Sequence, residues 1–163
     1  MTETTDTTRA VRVRAALAAD REFILALVHR LAEFGPPPWH DAEVMTTAEQ
    51  AVIADALASP KGDEAIFVAE DDAGSPLGFA HAVTHTDYFT REPHGHVSAL
   101  VVAPAAERAG AGRALMRACE DWSRTRGYAL VTLNVFAVNT RAINFYERLG
   151  YAPDTYRYAK RLG

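Results

Sequence analysis

Between Leu100 and Arg113 the chain reads LVVAPAAERAGAGR: an apolar run, a proline stop, and two glycines two apart opening directly into a helix. A strand that enters a helix through so short a turn commits the chain to a layered α/β arrangement, because the strand needs sheet partners and the helix must lie against them. Gly110 and Gly112 carry no Cβ, so backbone there can approach a ligand closely. The first N–H groups of the helix lack intrahelical partners, and with the dipole behind them they suit a phosphate. A tight turn serving the fold alone would show the same residues. Two phosphate motifs do not fit. A dinucleotide fingerprint needs a third glycine where Leu115 stands, and the next strand, LVTLNV, offers no ribose-binding acid. A P-loop needs Lys-Ser/Thr after its last glycine, where this chain has Arg113 and Ala114.

The remaining elements follow from periodicity and punctuation. Val11–Ala15 alternates apolar and charged residues, as a half-exposed strand does. Asp20 is expected to cap a helix running to Phe34 and ended by Gly35-Pro36-Pro37-Pro38. A second helix is expected over Thr46–Ala58, entered by the capping box Thr46-x-x-Glu49. Ala65–Glu70 and Gly78–His85 flank the turn residues Asp71–Pro76 and predict an antiparallel hairpin. His96–Ala103 reads as a strand, Gly112–Arg126 as a helix burying Leu115, Met116, Cys119 and Trp122, and Leu130–Val135 as a strand. Thr140–Leu149 is expected to be helical and Thr155–Lys160 to form a last strand. The order predicts one α/β domain with a mixed sheet over residues 1–163, led by a polar, disordered Met1–Ala10.

Composition excludes several classes. The chain has 163 residues, enough for one domain, and 17 Lys+Arg against 21 Asp+Glu give a net charge of -4. A nucleic-acid binder would carry the opposite balance. The single cysteine, Cys119, excludes an internal disulfide and a Cys-rich zinc site. No apolar run approaches the ~20 residues of a membrane span, and MTETTDTTRA lacks the parts of a signal peptide. The expectation is a soluble cytoplasmic protein with neither nucleic acid nor membrane as partner.

A second segment, Val131–Tyr151, reads VTLNVFAVNTRAINFYERLGY. It places Asn139 before a helix and puts Ile143 and Tyr146 on neighbouring positions of one helical face. Singly, Asn139 reads as a helix cap and Tyr146 as a packed core tyrosine. Together with the first segment, however, these residues resemble the GNAT superfamily, the GCN5-related N-acetyltransferases. The family's (Gln/Arg)-x-x-Gly-x-(Gly/Ala) signature is matched by Glu107-Arg108-Ala109-Gly110-Ala111-Gly112. Its Asn…Ala…Phe-Tyr…Gly-Phe/Tyr pattern is matched by Asn139, Ala142, Phe145-Tyr146 and Gly150-Tyr151.

The resemblance implies the GNAT acyl-CoA N-acyltransferase fold, a mostly antiparallel mixed sheet flanked by helices. It also implies acetyl-CoA as co-substrate with no metal. Backbone groups of Leu100, Val101 and Val102 would pair with the pantetheine arm, and an N–H among them would polarise the thioester carbonyl. Backbone N–H groups of Arg108, Ala109, Gly110, Ala111, Gly112 and Arg113 would hold the pyrophosphate. Asn139, with Ala142, would contact the pantetheine or phosphate region, and Tyr146 would protonate the leaving thiolate. The chain departs from the family at Glu107, a carboxylate beside the expected pyrophosphate, and at Ser98, where many relatives carry a glutamate base.

The amine acceptor must lose a proton, since a lysine-like amine has a pKa near ~10.4. On a regular strand His96, Ser98, Leu100 and Val102 share a face, so a His96/Ser98 water relay is expected to take it. Four of the six histidines, His81, His85, His94 and His96, fall close together and could converge on a metal, against which a polar acceptor face with scattered imidazoles is favoured. Trp39 in the loop Phe34–His40, with Tyr88 and Phe89, is expected to wall the acceptor pocket, and the last strand to border that cleft or a subunit interface. The expected function is direct acetyl transfer in a ternary complex to a primary amine of a small molecule (polyamine, aminoglycoside or amino-acid-like), with a homodimer as a compatible assembly. The competing readings are a peptide or protein N-acetyltransferase, a non-catalytic acyl-CoA-binding module and a metal-sensing domain.

Overall fold

The computed structural model describes residues 10–163. Of the expected disordered lead-in, Met1–Arg9 lie outside the described residues; Ala10 is exposed and irregular. Five strands, β1 (Arg12–Ala15), β2 (Glu64–Glu70), β3 (Pro76–Thr86), β4 (Pro93–Val102) and β5 (Val131–Leu133), form one sheet in sequence order. The first four pair antiparallel, and β5 pairs parallel to β4. Helices α1 (Arg21–Leu27) and α2 (Ala42–Ala58) cover one face; α3 (Ala111–Thr125) and α4 (Thr140–Arg148) lie on the other. No helix among the described residues is long and apolar enough to cross a membrane.

Alternation along the strands supplies two cores. Ile66, Val68, Phe79, Ala99 and Val101 meet Ile24, Leu27 and Val28 from α1 and its following turn, and Ile53 and Ala56 from α2. Ala80, Ala82 and Val97 meet Ala111, Leu115, Met116 and Cys119 of α3, with Leu100, Val102, Phe145 and Tyr146 packed alongside. The expected common face of His96, Ser98, Leu100 and Val102 is not observed. Register jumps from His81↔Ala99 to Ala82↔Val97, so Ser98 is a bulged residue with no opposite number on β3. One extra residue reverses the alternation. Val97 therefore shares the α3 face with Leu100 and Val102, and His96 looks the other way.

Three expected elements differ. The first helix ends at Leu27 and continues as a 3-10 turn over Val28–Ala32. Asp20 does not cap it, because its carboxylate is engaged by the Arg14 guanidinium at 2.7 and 3.0 Å and the Leu17 N–H at 2.7 Å, which tie β1 to the helix. The second helix begins at Ala42, where Asp41 Oδ1 accepts from the Val44 N–H at 2.9 Å; Thr46 lies inside it and donates to the Ala42 carbonyl at 2.8 Å. Thr155–Lys160 forms no strand. Its alternating pattern finds no partner among the described residues, and everything from Ala152 to Gly163 is exposed.

Candidate active site

β4 and β5 pair over three positions only, Gly95↔Val131, His96↔Thr132 and Val97↔Leu133. Beyond Val97, β5 leaves the sheet while β4 runs on to Val102. Ser98, Leu100, Val101 and Val102 thus have β3 on one side and no strand on the other, so some of their backbone groups face a gap. The start of α3 closes one end of it, and α4 brings Tyr146 to the same side of the sheet. An extended chain with amide groups, such as a pantetheine arm, is the kind of ligand a free strand edge binds. The Val102 carbonyl is already engaged by the Arg30 guanidinium.

The turn after β4 is built for an anion. Pro104–Ala106 makes a 3-10 turn, Arg108 and Gly110 adopt positive φ (69° and 84°), and Gly110 stands at the N-cap of α3. The first bond into the helix runs from the Ala114 N–H to the Gly110 carbonyl at 3.0 Å. The N–H groups of Ala111, Gly112 and Arg113 precede it and have no intrahelical acceptor. That of Ala109, by contrast, is used at 3.2 Å by the Ala106 carbonyl. The two glycines have different duties. A Cβ on Gly110 would meet nothing within 4 Å, so the space there is open and the residue serves the left-handed backbone. A Cβ on Gly112 would stand 3.2 Å from Phe145 Cζ, so this glycine seats α4.

Glu107 does not face the turn's N–H groups unopposed. Arg141 reaches it at 2.9 Å and Arg30 at 2.7 Å, and these two guanidiniums, Arg141 first, push its carboxyl down to about 2. Nearby, Arg113, Arg117 and Arg148, with Met116, Glu120 and Leu149, line a pocket of about 140 Å³ between α3 and α4. Free helical N–H groups, an open left-handed glycine and this concentration of guanidinium fit the phosphates of CoA.

Tyr146 is half-buried with its ring edge-to-face to Phe145 and Tyr151, at 5.3 and 6.1 Å. Burial, and then the proximity of Cys119, push its phenol up to about 12, so it stays protonated. Cys119 is fully buried, and burial pushes its thiol up to about 12. Asn139 caps α4, its Oδ1 accepting from the Ala142 N–H at 3.2 Å, which leaves the amide NH2 for other partners.

The histidines lie on the α1/α2 side of the sheet in two groups. His85 and His96 stack with ring centroids 4.0 Å apart, and Thr132 Oγ1 bonds to both His96 Nδ1 (2.8 Å) and His94 Nε2 (3.1 Å). Burial, then His85 and His94, push His96 down to about 4, which makes it a weak proton acceptor. His81 stands apart. It is 1% exposed, with Glu64 Oε2 3.0 Å from Nε2 and Ser98 Oγ 3.3 Å from Nδ1. Ser98 therefore pairs with His81 and not with His96. Among the described residues no three His, Cys, Asp or Glu side chains come together as metal ligands.

On the expected acceptor side, Trp39 is 46% exposed, while Tyr88 and Phe89 are 79% and 86% exposed on the β3–β4 loop and contact each other. The structure does not join them to Trp39 by any ring contact among the described residues. Instead Phe34 stacks on Phe136 and His40 meets it edge-on, both at 5.1 Å, which closes the Phe34–His40 loop onto the segment after β5. Sequence reasoning missed Phe136, Arg30, Arg141 and the pairing of His81 with Glu64. The last was out of reach, because the β2–β3 register slips by one residue between Ala69 and Glu70: counting outward from the Asp71–Ser75 turn would set Glu64 opposite Ala82, whereas it stands opposite Val83 and diagonal to His81.

Comparison with known proteins identifies the family and the fold. Residues 24–151 match the model of the acetyltransferase (GNAT) family. The chain is 34% identical over 119 residues to a mycothiol acetyltransferase of Nocardia farcinica, covering 71% of this chain and 38% of that protein. It is 38% identical over 90 residues to a streptothricin acetyltransferase of Streptomyces lavendulae, covering 55% and 46%. The chain thus spans less than half the length of these curated relatives. Among solved structures, a GCN5-related N-acetyltransferase from Ralstonia eutropha superposes with a TM-score of 0.70 at 23% identity, covering 94% of this chain and 100% of that one. The aminoglycoside N-acetyltransferase AAC(6')-Iy, in complex with CoA, superposes with a TM-score of 0.68 at 22% identity, covering 94% and 97%. With the matched model spanning most of its length, the chain belongs to the acetyltransferase (GNAT) family.

Proposed function

We propose that this protein is an N-acetyltransferase that moves acetyl from acetyl-CoA to a primary amine of a small molecule, in one ternary complex. The observation that carries the reading is the gap beside Ser98–Val102, with the anion-binding turn at one end and a protonated Tyr146 on the same side of the sheet. Acetyl-CoA would supply an acyl thioester, an electrophilic carbonyl with a thiolate leaving group. Leu100, Val101 and Val102 would hold the pantetheine arm by their backbone. Arg108, Gly110, Ala111, Gly112 and Arg113 would hold the pyrophosphate, and Asn139 and Ala142 would border it.

An N–H of β4 aimed at the carbonyl oxygen stabilises the charge that develops there, by ~3–4 kcal/mol for one such donor. Tyr146 donates its proton to the departing sulfur. The inert state of Cys119 supports direct transfer over a route through an acylated cysteine. A shallow groove of about 470 Å³ lined by His29, Ala32, Ala42, Thr46 and Thr47 carries Glu43, together with Glu33, which is already paired with Arg30 and His29; Glu43 is the carboxylate it offers to a cationic amine. The streptothricin and aminoglycoside acetyltransferases among the similar proteins support a small-molecule acceptor.

The test is release of CoA thiol from acetyl-CoA across a panel of polyamines, aminoglycosides, amino acids and peptides, with the product weighed by mass spectrometry. Tyr146→Phe is expected to keep CoA affinity and lose ~10²-fold or more in kcat. An unchanged kcat removes Tyr146 from the acid role. CoA binding with no transfer to any amine leaves a binding module instead.

A further inference from the structure

We propose that Ser98, His81 and Glu64 form a proton relay for the acceptor amine, the Ser98 hydroxyl touching the amine and His81 accepting the proton behind it. The proposal rests on the acetyltransferase reading and supplies the base that reading lacks. The three groups come from three neighbouring strands, β4, β3 and β2, and their order is set by two hydrogen bonds. Glu64 Oε2 lies 3.0 Å from His81 Nε2, and Ser98 Oγ lies 3.3 Å from His81 Nδ1. A carboxylate only accepts, so Nε2 carries the hydrogen and Nδ1 presents its lone pair to the hydroxyl. The longer second bond is of the kind that tightens when substrate binds. Glu64 is the positioning residue that holds this tautomer.

Place supports the same assignment. Ser98 is the bulged residue, and it follows Val97, the last β4 residue paired with β5, so its hydroxyl stands where the gap opens. His96 has no such access to Ser98, being engaged by Thr132 and stacked on His85. Two carboxylates face His81: Glu64 from β2, and Glu49 from α2, which interacts electrostatically with the imidazole. Lys61, 3.9 Å from Glu64 Oε1, is the nearest opposing charge, and Glu64 Oε1 has no hydrogen-bond partner of its own.

The step balances. One N–H bond of the ammonium breaks as the Ser98 oxygen takes its proton and passes its own to His81 Nδ1, leaving a neutral amine and an imidazolium held by Glu64. The amine nitrogen then bonds to the acetyl carbon as the carbon–sulfur bond breaks. The sulfur takes the Tyr146 proton, the nitrogen returns its surplus proton to the phenolate through solvent, and His81 releases its proton between turnovers.

The test compares the parent protein with His81→Gln and Ser98→Ala, using an alkyl amine and a hydrazide that is already neutral, from about pH 6 to about pH 10. CoA affinity by calorimetry and imidazole ¹⁵N shifts by NMR are read alongside. Both variants are expected to bind CoA normally and to lose ~10²–10⁴-fold in kcat for the alkyl amine near neutral pH. The loss should shrink as the pH approaches the amine's own pKa and should nearly vanish with the hydrazide. The parent should show hydrogen on Nε2, and Ser98→Ala should move the Nδ1 shift alone. An equal loss at every pH and with both acceptors, or no loss, overturns the relay and leaves the acetyltransferase standing. Absence of transfer by the parent to any amine overturns both. Should His81→Gln unfold, Ser98→Ala decides on the same readouts.

Discussion

At the scale of single residues, environment separates histidines that look alike in the chain. His96 is buried neutral, pushed down to about 4 from 6.5. A folded value below the unfolded one means the unfolded chain binds the extra proton first. Stability is therefore full above about pH 6.5 and is lost as the pH falls toward about 4. The loss is on the order of 1–3 kcal/mol, and His96→Gln should flatten the melting temperature over that window, as thermal unfolding at stepped pH would show. A profile as steep as the parent's would assign the acid sensitivity elsewhere. Tyr146 and Gly110 were legible because each belongs to a local pattern of a few residues. His81 was not, since both of its partners lie 17 residues away and meet it only through sheet register. Glu107 was legible as an oddity, and its resolution by Arg30, 77 residues away, was not.

At the scale of elements, the first three strands and the two later helices were legible to within two residues of their ends; β4 begins three residues earlier than expected, β5 covers three of its six expected residues, and the two earlier helices were misplaced at one end. They differ at opposite ends: the first starts after Asp20 as expected but gives way to a 3-10 turn after Leu27, and the second starts early because Asp41 captures it ahead of a capping box that reads equally well. The expected last strand is absent, since Ala152–Gly163 stays exposed and pairs with no strand among the described residues. Close approach between elements yields a prediction of its own. A Cβ on Gly78 would press on the Val101 carbonyl and come within 2.9 Å of Val102 Cα, both backbone of the neighbouring strand. A Cβ on Gly95 would press on the Ser123 hydroxyl and come within 2.9 Å of Ser123 Cβ, a buried side chain whose hydroxyl is bonded to the Cys119 carbonyl at 2.9 Å. Gly78→Ala and Gly95→Ala should therefore each destabilise by about 2–3 kcal/mol, within the usual range for overpacking. Chemical denaturation checks the size; a loss below about 0.5 kcal/mol for either would refute it.

At the scale of the whole molecule, a net charge of -4 conceals two opposite regions. Arg113, Arg117 and Arg148 line the pocket between α3 and α4 beside the carboxylate of Glu120, whereas Glu43 and the Arg30-paired Glu33 line the groove beside α2, and Glu49 and Glu64 flank His81. An arginine-rich pocket and carboxylate-bearing neighbours of His81 suit an anionic donor and a cationic acceptor, a distribution that no total could have displayed. The exposed Ala152–Gly163 contributes little to either region or to the two cores. Deleting it should leave the melting temperature within about 2 °C, the equivalent of ~0.5–1 kcal/mol. A larger drop on calorimetry would show that these residues are held by something other than their own protomer.

The bulge at Ser98 has a meaning beyond mechanism. Strike Ser98 from β4 and the remaining residues alternate without a fault, each still facing the core it faces now. Ser98 is thus a guest in its strand, free of the volume and polarity constraints that bind its neighbours. Such a position can exchange one proton-handling side chain for another while the architecture stands still, so an old scaffold can be fitted to a new amine by changing a residue its sheet could spare.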